Sequence, residues 1–170
     1  MGDVMHGLVL GEVTDVDDPE GLGRIRVAFM NFGSDVESVW APVAATMAGA
    51  EAGVHFLPEV GDIAVVGFLM GGLNHPVVLG YVWNGDQAPP STEPTERRIV
   101  SREGHSVTFF DGGGDDGITL EDAHGNKVVM KSDGIEIETP GNLAIKVSGN
   151  GDIECSGTLT LKGATIQLNP

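Results

Sequence analysis

The sequence predicts an all-β protein built in two parts, a small closed barrel followed by a repetitive stack of short strands. Glycine supplies 26 of the 170 residues and proline 9, and a helix interior loses about 1 kcal/mol of stability for each glycine relative to alanine. Both tryptophans, the tyrosine and four of the six phenylalanines precede residue 90, so only the first half has the bulky side chains of a globular core. The second half carries regularly spaced glycines instead.

Five strand-like segments precede residue 85, each rich in β-branched or other apolar residues. Turn signals separate them, such as Asp17-Asp18-Pro19 after the first and Gly71-Gly72 after the fourth. Five short strands with their longest connection between the third and fourth are typical of an OB-type barrel, whose closed sheet leaves few exposed edges. We therefore predict an OB-type five-stranded barrel over residues 1–85, with strands at residues 8–16, 24–29, 39–46, 63–70 and 77–83.

A short connecting segment follows the barrel at residues 86–96. It reads Asp-Gln-Ala-Pro-Pro-Ser-Thr-Glu-Pro-Thr-Glu, with three prolines and no large apolar side chain. Proline-rich segments of this kind are extended and semi-rigid. The sequence therefore predicts a stiff linker, with a second domain at residues 97–170.

Glycines recur at short intervals in the second domain, at positions 117, 125, 134, 141, 149, 157 and 163. Between them, apolar residues alternate with polar or charged ones, as Ile135 and Ile137 do with Glu136 and Glu138. Alternation with a period of two places one set of side chains on a buried face. A repeat of about eight residues indicates a β-helix or stacked-strand solenoid.

Each repeat offers only two medium-sized aliphatic side chains for burial. That area is too small to offset the conformational entropy of ordering the repeat, so a single chain could not stabilise the stack alone. Three chains are the smallest number that encloses the apolar faces, and we predict an intertwined trimeric β-helix, or prism, as the shaft of a homotrimer. Its predicted trimer core comprises Ile118, Leu120, Val128, Met130, Ile135, Ile137, Ile145, Ile153, Cys155, Leu159, Leu161, Ile166 and Leu168.

The charge of the chain limits its partners. The 9 basic and 25 acidic residues give a net charge of −16, which repels phosphate backbones and anionic membranes, so nucleic-acid binding is not expected. The single cysteine, Cys155, cannot form an intrachain disulfide. The absence of a secretory leader and of an apolar run of about 18 residues favours a protein made and folded in the cytoplasm.

Motifs that would carry chemistry are incomplete, so no catalytic, cofactor-binding or metal-binding residue is predicted. Gly104-His105-Ser106 begins like a nucleophile elbow, but Thr108 replaces the second glycine. Asp15, Asp17 and Asp18 are not followed by the glycine and glutamate of an EF-hand loop, and a turn between strands is the preferred interpretation. The five histidines are not paired at metal-ligand spacing, although a three-fold axis could bring three copies of one together.

Cys155 shares the alternation phase of Ile153 and is expected to point toward the interior of the shaft. A small buried hydrophobic side chain is one interpretation. Three thiols that bind a metal on the three-fold axis are the other.

Eight short motifs occur in a fixed order through residues 7–90. They are Gly11-Glu12-Val13 with Asp18-Pro19, Gly23-Arg24-Ile25-Arg26-Val27, Trp40-Ala41-Pro42-Val43-Ala44, Met47-Ala48-Gly49, Phe56-Leu57-Pro58-Glu59-Val60-Gly61-Asp62, Val66-Gly67-Phe68, His75-Pro76-Val77-Val78-Leu79-Gly80 and Trp83-Asn84-Gly85. In this series the chain resembles the central spike proteins of contractile tails, namely the phage baseplate assembly protein V family and the matching part of the VgrG spikes of type VI secretion. Residues 97–170 are similar to that family in the style of their repeat.

The resemblance implies an OB barrel at the base of a spike, a trimeric β-helix as its shaft, and mechanical penetration of a target membrane when a sheath contracts. It implies a non-enzymatic protein that is made in the bacterial cytoplasm and assembled into a phage tail or an injection-system particle. Some family members carry a lysozyme domain between barrel and shaft, and VgrG chains begin with a large hub domain. This sequence shows neither, so a separate hub protein is expected at the barrel end.

The resemblance also implies a partner at the other end. Some family members end in a point of their own, where a His-x-His pair from each chain binds iron. Residues 158–170 contain no histidine, so the chain is similar instead to blunt-ended members, which are capped by a small conical PAAR-repeat protein. Unpaired strand edges at the end of a shaft favour the addition of such a partner. We expect a PAAR-like tip protein to bind at Ala164, Ile166, Leu168 and Asn169.

Two other functions make demands on the composition of the chain that the sequence does not meet. An OB barrel can be a binding module for an oligonucleotide or an oligosaccharide, but the nucleic-acid case requires a basic groove with stacking aromatics, and residues 1–90 contain only Arg24 and Arg26 as basic residues. A cell-wall-degrading enzyme would need a domain with paired catalytic carboxylates, and the sequence offers no such domain.

Overall fold

The computed structural model describes residues 5, 7–31, 36–114 and 116–167. The chain divides into two compact units, Met1–Pro90 and Ser91–Pro170, and the boundary falls inside the segment predicted to be a linker. Both units consist of β-strands, with a single short 3-10 turn at Leu69–Gly71 as the only helical element of the described residues. The predicted all-β class is therefore confirmed. The described part of the chain contains no helix with the length and apolar character needed to cross a membrane.

The first unit is a sheet of four strands with a small hairpin inserted in it. The strands are β1 (Val9–Asp15), β2 (Arg26–Phe29), β3 (Ala48–Gly49), β4 (Ala52–Gly53), β5 (Ile63–Phe68) and β6 (Pro76–Val82). The main sheet has the order β2-β1-β5-β6 and all its pairs are antiparallel, while β3 and β4 pair only with each other.

The stretch between β2 and β3 closes this sheet into a barrel. Near its middle, Ala41 and Ile25 exchange backbone hydrogen bonds of 2.8 and 3.0 Å, which attach the stretch to the start of β2. Two residues later, Val43 bridges to Val78 of β6 in parallel. Residues 37–43 therefore lie between the two edge strands of the sheet, and the predicted OB-type barrel is confirmed.

The barrel encloses a small aliphatic core made by alternate residues of the strands. Because successive strand side chains point to opposite faces, every second residue of β1 and β2 lies inside. The rings of Phe29 and Phe68 pack with their centroids 5.6 Å apart at the edge of this core. The fully enclosed apolar residues are Val9, Val13, Ile25, Val27, Phe29, Ala41, Ala64, Val66 and Val78.

Two of the predicted strands differ from the observed ones. The predicted third strand at residues 39–46 is wrong as a continuous strand, because the chain makes only isolated bridges there and Pro42 has no N–H to contribute to a ladder. The predicted fourth strand was extended to Met70, but that residue lies in the left-handed region at φ 51° and the strand ends at Phe68. The hairpin formed by β3 and β4 was not predicted.

The second unit is a five-stranded antiparallel sheet in which each strand pairs with the next one in sequence. The strands are β7 (Glu96–Val100), β8 (Ser106–Phe110), β9 (Gly117–Glu121), β10 (Lys127–Lys131) and β11 (Gly134–Glu138). None of the four pairings contains a register shift. Glycine is required at the start of β9, since a Cβ added to Gly117 would lie only 2.1 Å from the carbonyl oxygen of Met130.

No strand is formed in the described residues that follow β11. The alternating segments predicted there, from Leu143 to Ile166, do not pair with any other described residue, so their prediction as strands is not met in the single chain. Backbone groups form a strand only when a second strand offers them partners, and the neighbouring strand β11 pairs with β10 alone.

Candidate functional site

The sheet of the second unit gathers nine apolar residues on one of its faces. Within each of two rows, every residue lies directly opposite the next across the strand boundary. Since side chains alternate along each strand and the register never shifts, both rows belong to the same face. We call this surface the two-row apolar face. It comprises Ile99, Val107, Leu120, Val128 and Ile137 in the first row and Phe109, Ile118, Met130 and Ile135 in the second.

The two-row apolar face is largely uncovered in the single chain. Ile135 is 72% exposed and Ile137 is 61% exposed, and none of the nine residues is buried. Soluble proteins rarely expose a contiguous apolar surface of this kind unless it meets a partner. The face therefore indicates an interaction surface.

The opposite face of the same sheet carries most of its charged and polar side chains, together with Val100, Phe110 and Val129. Lys127 and Glu138 form an ion pair of 3.5 Å across β10 and β11. The Nε of Arg98 donates a hydrogen bond of 3.2 Å to the hydroxyl of Thr108, whose residue is buried. The sheet thus has one mainly apolar face and one mixed face that carries most of its charged groups.

A second apolar feature follows the sheet at residues 142–167, which we call the unpaired segment. In the described part of the chain, these residues make no backbone hydrogen bond to any other residue. Their apolar side chains are also exposed, and Ile145 reaches 80%. Unpaired backbone together with exposed aliphatic side chains indicates a segment whose partners lie outside the single chain. The large exposed residues are Leu143, Ile145, Val147, Ile153, Leu159, Leu161 and Ile166.

The residues predicted as a trimer core divide between these two features. The six from β9, β10 and β11 all belong to the two-row apolar face, namely Ile118, Leu120, Val128, Met130, Ile135 and Ile137. Ile145, Ile153, Cys155, Leu159, Leu161 and Ile166 lie in the unpaired segment, where each is exposed. Leu168 and Asn169 lie outside the described residues, while Ala164 is exposed within them.

Sequence reasoning missed three members of the two-row apolar face, Ile99, Val107 and Phe109. They lie on β7 and β8 and pair into the same two rows. The alternation of Val107 and Phe109 with Ser106, Thr108 and Phe110 was a weak signal, because Phe110 breaks the polar phase. Only the register of the sheet assigns these residues to one face.

Loops at one end of the sheet bring together two histidines that are 19 positions apart in sequence. The rings of His105 and His124 lie edge to face with their centroids 6.0 Å apart, and His105 Nδ1 accepts a hydrogen bond from the backbone of Ala123. The side chain and backbone of Asn126 donate to Asp122, which lowers the pKa of that carboxyl to about 2. These contacts stabilise turns, and the described residues include no group of three metal-ligating side chains.

The other polar motifs also have structural roles. Ser106 is the first residue of β8 and pairs with Val100 and Glu121, so it lies in a strand and not at a strand-to-helix turn. Asp15 accepts a hydrogen bond from the backbone of Asp17, as expected for a turn between strands. Asp18 binds Arg24 through both carboxylate oxygens, which lowers the pKa of Asp18.

The barrel carries a cleft of about 720 Å³ between residues 43–57, the loop at Gly21–Gly23 and Tyr81. Burial of its phenol and the nearby charge of Asp62 raise the pKa of Tyr81 to about 12. The lining is mostly apolar, and both basic side chains of the barrel are held by carboxylates elsewhere, Arg24 by Asp18 and Arg26 by Glu37. The cleft therefore lacks the basic lining that a nucleic-acid strand requires.

Comparison with known protein families matches the two units separately. Residues 9–83 match the type VI secretion system/phage-baseplate injector OB domain. Residues 98–170 match the phage baseplate V C-terminal trimerisation domain. The two matches are consecutive and leave only residues 1–8 and 84–97 outside them.

The chain is also similar to curated VgrG proteins, two of which are named as spike proteins of type VI secretion systems. The chain is 23% identical to the actin cross-linking toxin VgrG1 of Vibrio cholerae over 166 residues, which covers 86% of this chain and 15% of that protein. It is 27% identical to the type VI secretion system spike protein VgrG5 of Pseudomonas aeruginosa, over 72% of this chain and 16% of that protein. It is 25% identical to the spike protein VgrG3 of Vibrio cholerae, over 65% of this chain and 11% of that protein.

The chain thus spans less than a sixth of the length of these relatives. In this chain the OB domain match precedes the trimerisation domain match, in the order of the two units of the structure. Both family matches and the named relatives agree with the resemblance seen in the eight motifs. This chain belongs to the phage baseplate V and VgrG-type family of spike components of contractile injection machines.

Proposed function

We propose that the protein is the central spike of a contractile injection machine. Three copies form a rigid homotrimer that connects a hub at the barrel end to a tip at the C-terminal end. Contraction of a sheath drives this trimer through the target envelope. The role is mechanical, and the chain carries out no catalysis.

The observation that carries this proposal is the unpaired segment, residues 142–167. Its backbone N–H and C=O groups have no partners in the described part of the chain, and its aliphatic side chains are exposed. Burying these aliphatic side chains in an assembly would also bury the backbone beside them, and buried backbone groups are almost always hydrogen-bonded in native proteins. Other copies of the chain can supply both the strand partners and the apolar contacts, because each copy presents the same unpaired edges.

The two-row apolar face supports the same arrangement. In a three-sided prism, each chain contributes one wall whose apolar face points to the axis and whose polar face meets water. Nine apolar residues on one face and the Lys127–Glu138 pair on the other have this polarity. The match of residues 98–170 to a trimerisation domain supports three copies.

The charge of the protein suits passage through an envelope. A net charge of −16 per chain becomes three times larger in the trimer, and an acidic exterior is repelled by anionic lipid head groups. The protein is therefore proposed to cross a membrane by force alone, without binding lipid. It is made in the bacterial cytoplasm and assembled into a phage tail or an injection-system particle.

Both ends of the spike are proposed to bind other proteins. The hub is a separate protein that meets the barrel, as the hub domain does in longer family members. A PAAR-like tip protein is proposed to bind through Ala164, Ile166, Leu168 and Asn169, where the apolar alternation continues in the sequence.

The mass of the full chain in solution tests the proposal. Light scattering should give 53.1 kDa, three times the 17.7 kDa of one chain, over a wide range of concentration, because an interface of this apolar kind is obligate. A folded monomer at micromolar concentration would overturn it. In the assembled particle, a variant that no longer forms trimers should abolish injection while the sheath still contracts.

A further inference from the structure

The barrel exposes two apolar patches that its own core does not explain. The first is the arm, which we define as residues 44–57 and which bears Met47, Val54 and Phe56. Phe56 is 67% exposed and the other two are about half exposed. The second is the outer sheet patch, which comprises Leu8, Leu10, Leu69, Met70 and Leu79, all of them exposed.

The outer sheet patch lies on the outside of β1, β5 and β6. Its leucines alternate along the strands with core residues, since Leu8 and Leu10 flank the buried Val9 and Leu79 follows the buried Val78. Leu8 and Leu79 both approach Gly67, because a Cβ added to that glycine would lie 3.4 Å and 3.5 Å from their methyl carbons. Leu8, Gly67 and Leu79 therefore form a continuous apolar surface across the three strands.

The arm starts beside Val78 of β6 and runs toward Tyr81, away from the start of that strand. Gly67 and Phe68 pair with the start of β6, beside the outer sheet patch, whereas Ile63 pairs with Val82 at the other end. The arm follows the bridge of Val43 to Val78 and lines the cleft together with Tyr81, near that other end. In the described residues the arm lines its own cleft, and the outer sheet patch stays uncovered.

Both patches are nearly free of charge on a strongly acidic unit. Residues 1–90 contain 12 acidic and two basic residues, yet Glu51 is the only carboxylate in the arm and the outer sheet patch has none. Copies of this barrel repel one another wherever their carboxylates face. Contact between copies is therefore favoured at surfaces with few carboxylates, such as these two.

Three-fold symmetry requires a contact between two different patches. In a cyclic trimer each subunit meets its neighbours through a heterologous interface, in which one surface of a copy packs on another surface of the next. We propose that the arm of one barrel packs on the outer sheet patch of the next barrel, so that three barrels close into a ring. This inference rests on the proposed homotrimer, and its partner is a second copy of this chain.

The trimerisation domain would strengthen the contact by holding the barrels close together. Residues 83–95 connect β6 to β7, and at full extension such a segment spans about 45 Å. A tether of this length gives a local concentration on the order of millimolar, so even a weak apolar contact between barrels would be occupied.

Photo-crosslinking of the full chain tests the contact. Phe56 is replaced by p-benzoylphenylalanine, and the same residue at the exposed Asp17, outside both patches, is the matched control. Illumination of the purified trimer should give crosslinked dimers and trimers only for position 56. Peptide mapping should place the crosslinks at Leu8, Leu10 or Leu79 of the neighbouring copy. Adding Leu8→Asp should remove these crosslinks while light scattering still shows a trimer.

The outcomes separate this inference from the proposed function. A trimer that gives no crosslink from position 56, or whose crosslinks map outside the outer sheet patch, would overturn the ring of barrels and leave the trimeric shaft standing. A chain that is monomeric by light scattering would overturn both. Persistence of the crosslinks in the Leu8→Asp variant would also contradict the assigned partner surface.

Discussion

Arg24 donates hydrogen bonds to both carboxylate oxygens of Asp18, from Nε to Oδ2 at 2.9 Å and from Nη2 to Oδ1 at 2.7 Å. The Asp18 side chain is only 3% exposed and also accepts backbone hydrogen bonds from Glu20, Leu22 and Arg24. Five donors thus converge on one carboxylate in the connection between β1 and β2. This pair orders the loop and holds the pKa of Asp18 well below its usual range, chiefly because of the Arg24 side chain.

The first prediction concerns acid sensitivity of the barrel. Because folding lowers the pKa of Asp18, the ionised carboxylate stabilises the barrel above the unfolded pKa of about 4, and this contribution is lost as the pH falls toward the folded value. Asp18→Asn should lower the urea midpoint at pH 7, and its difference from the wild type should narrow at low pH. Fluorescence of Trp40 and Trp83 reports the transition, since both tryptophans lie in this unit.

Asp17→Asn is the matched control for this experiment, because it removes the same charge from an exposed side chain next to Asp18 in the sequence. It should leave the urea midpoint nearly unchanged at pH 7. If Asp17→Asn and Asp18→Asn lower the midpoint equally, general charge and not the Arg24 pair is responsible.

The second prediction tests the register of the five-stranded sheet. Gly117→Ala should destabilise the second unit, because the added Cβ would lie 2.1 Å from the carbonyl oxygen of Met130 and the backbone there adopts a positive φ. Gly114→Ala is the control, since nothing lies within 4 Å of its Cβ position. Thermal unfolding followed by circular dichroism should show a lower midpoint for Gly117→Ala alone. Equal midpoints would contradict the observed pairing of β9 with β10.

The third prediction separates the two faces of β11. Ile135→Lys places an ammonium group on the two-row apolar face, and burying it in a trimer interior would cost several kcal/mol per chain. Glu136→Lys places the same side chain one residue further along β11, on the opposite face of the sheet. Light scattering should show loss of the trimer for Ile135→Lys and a normal trimer for Glu136→Lys. Both residues are exposed in the single chain, so neither substitution disturbs the core of one chain. If the two-row apolar face were not part of the trimer interface, both variants would remain trimeric.

The fourth prediction uses the thiol of Cys155. This side chain is exposed in the single chain, so a monomer would react rapidly with a thiol reagent. In the proposed trimer the thiol faces the shaft interior. The native protein should therefore react slowly with the reagent, and the reaction should become fast once the protein is denatured. Cys155→Asp should weaken the trimer, because three carboxylates would meet in an apolar channel. Rapid labelling of the native trimer would show that the strand phase is reversed.

The fifth prediction concerns the tip. Removing residues 163–170 deletes the proposed binding surface at Ala164, Ile166, Leu168 and Asn169 and should abolish binding of a PAAR-like protein encoded beside this one. The barrel should remain folded, with unchanged tryptophan fluorescence. Full-length trimer that fails to bind such a protein in a pull-down would contradict the proposed tip, and so would a metal bound by the C-terminus itself.

Much of the local structure could be predicted from short-range patterns. Alternation along β9, β10 and β11 predicted which side chains share a face, because a strand imposes a period of two whatever its partners are. Gly71-Gly72 and Asp17-Asp18-Pro19 predicted turns for a similar reason, since these residues favour turn conformations by themselves. The order of motifs was enough to indicate the family.

Long-range pairing lay beyond those patterns. Alternation in β7 and β8 is interrupted by Phe110, so Ile99, Val107 and Phe109 join the two-row apolar face only through their register with β9. His105 and His124 meet because two loops fall at the same end of the sheet. Neither relationship leaves a signal in the spacing of the residues.

The sequence alone determined that this protein is built of short strands, that its second half alternates with a period of two, and that its surface is acidic, because these properties belong to single residues and their near neighbours. Only the tertiary structure decided that residues 37–43 close the barrel between β2 and β6, and that strand pairing among the described residues stops at β11. Both depend on which distant backbone groups find hydrogen-bond partners, and that choice is made by the packing of the whole unit.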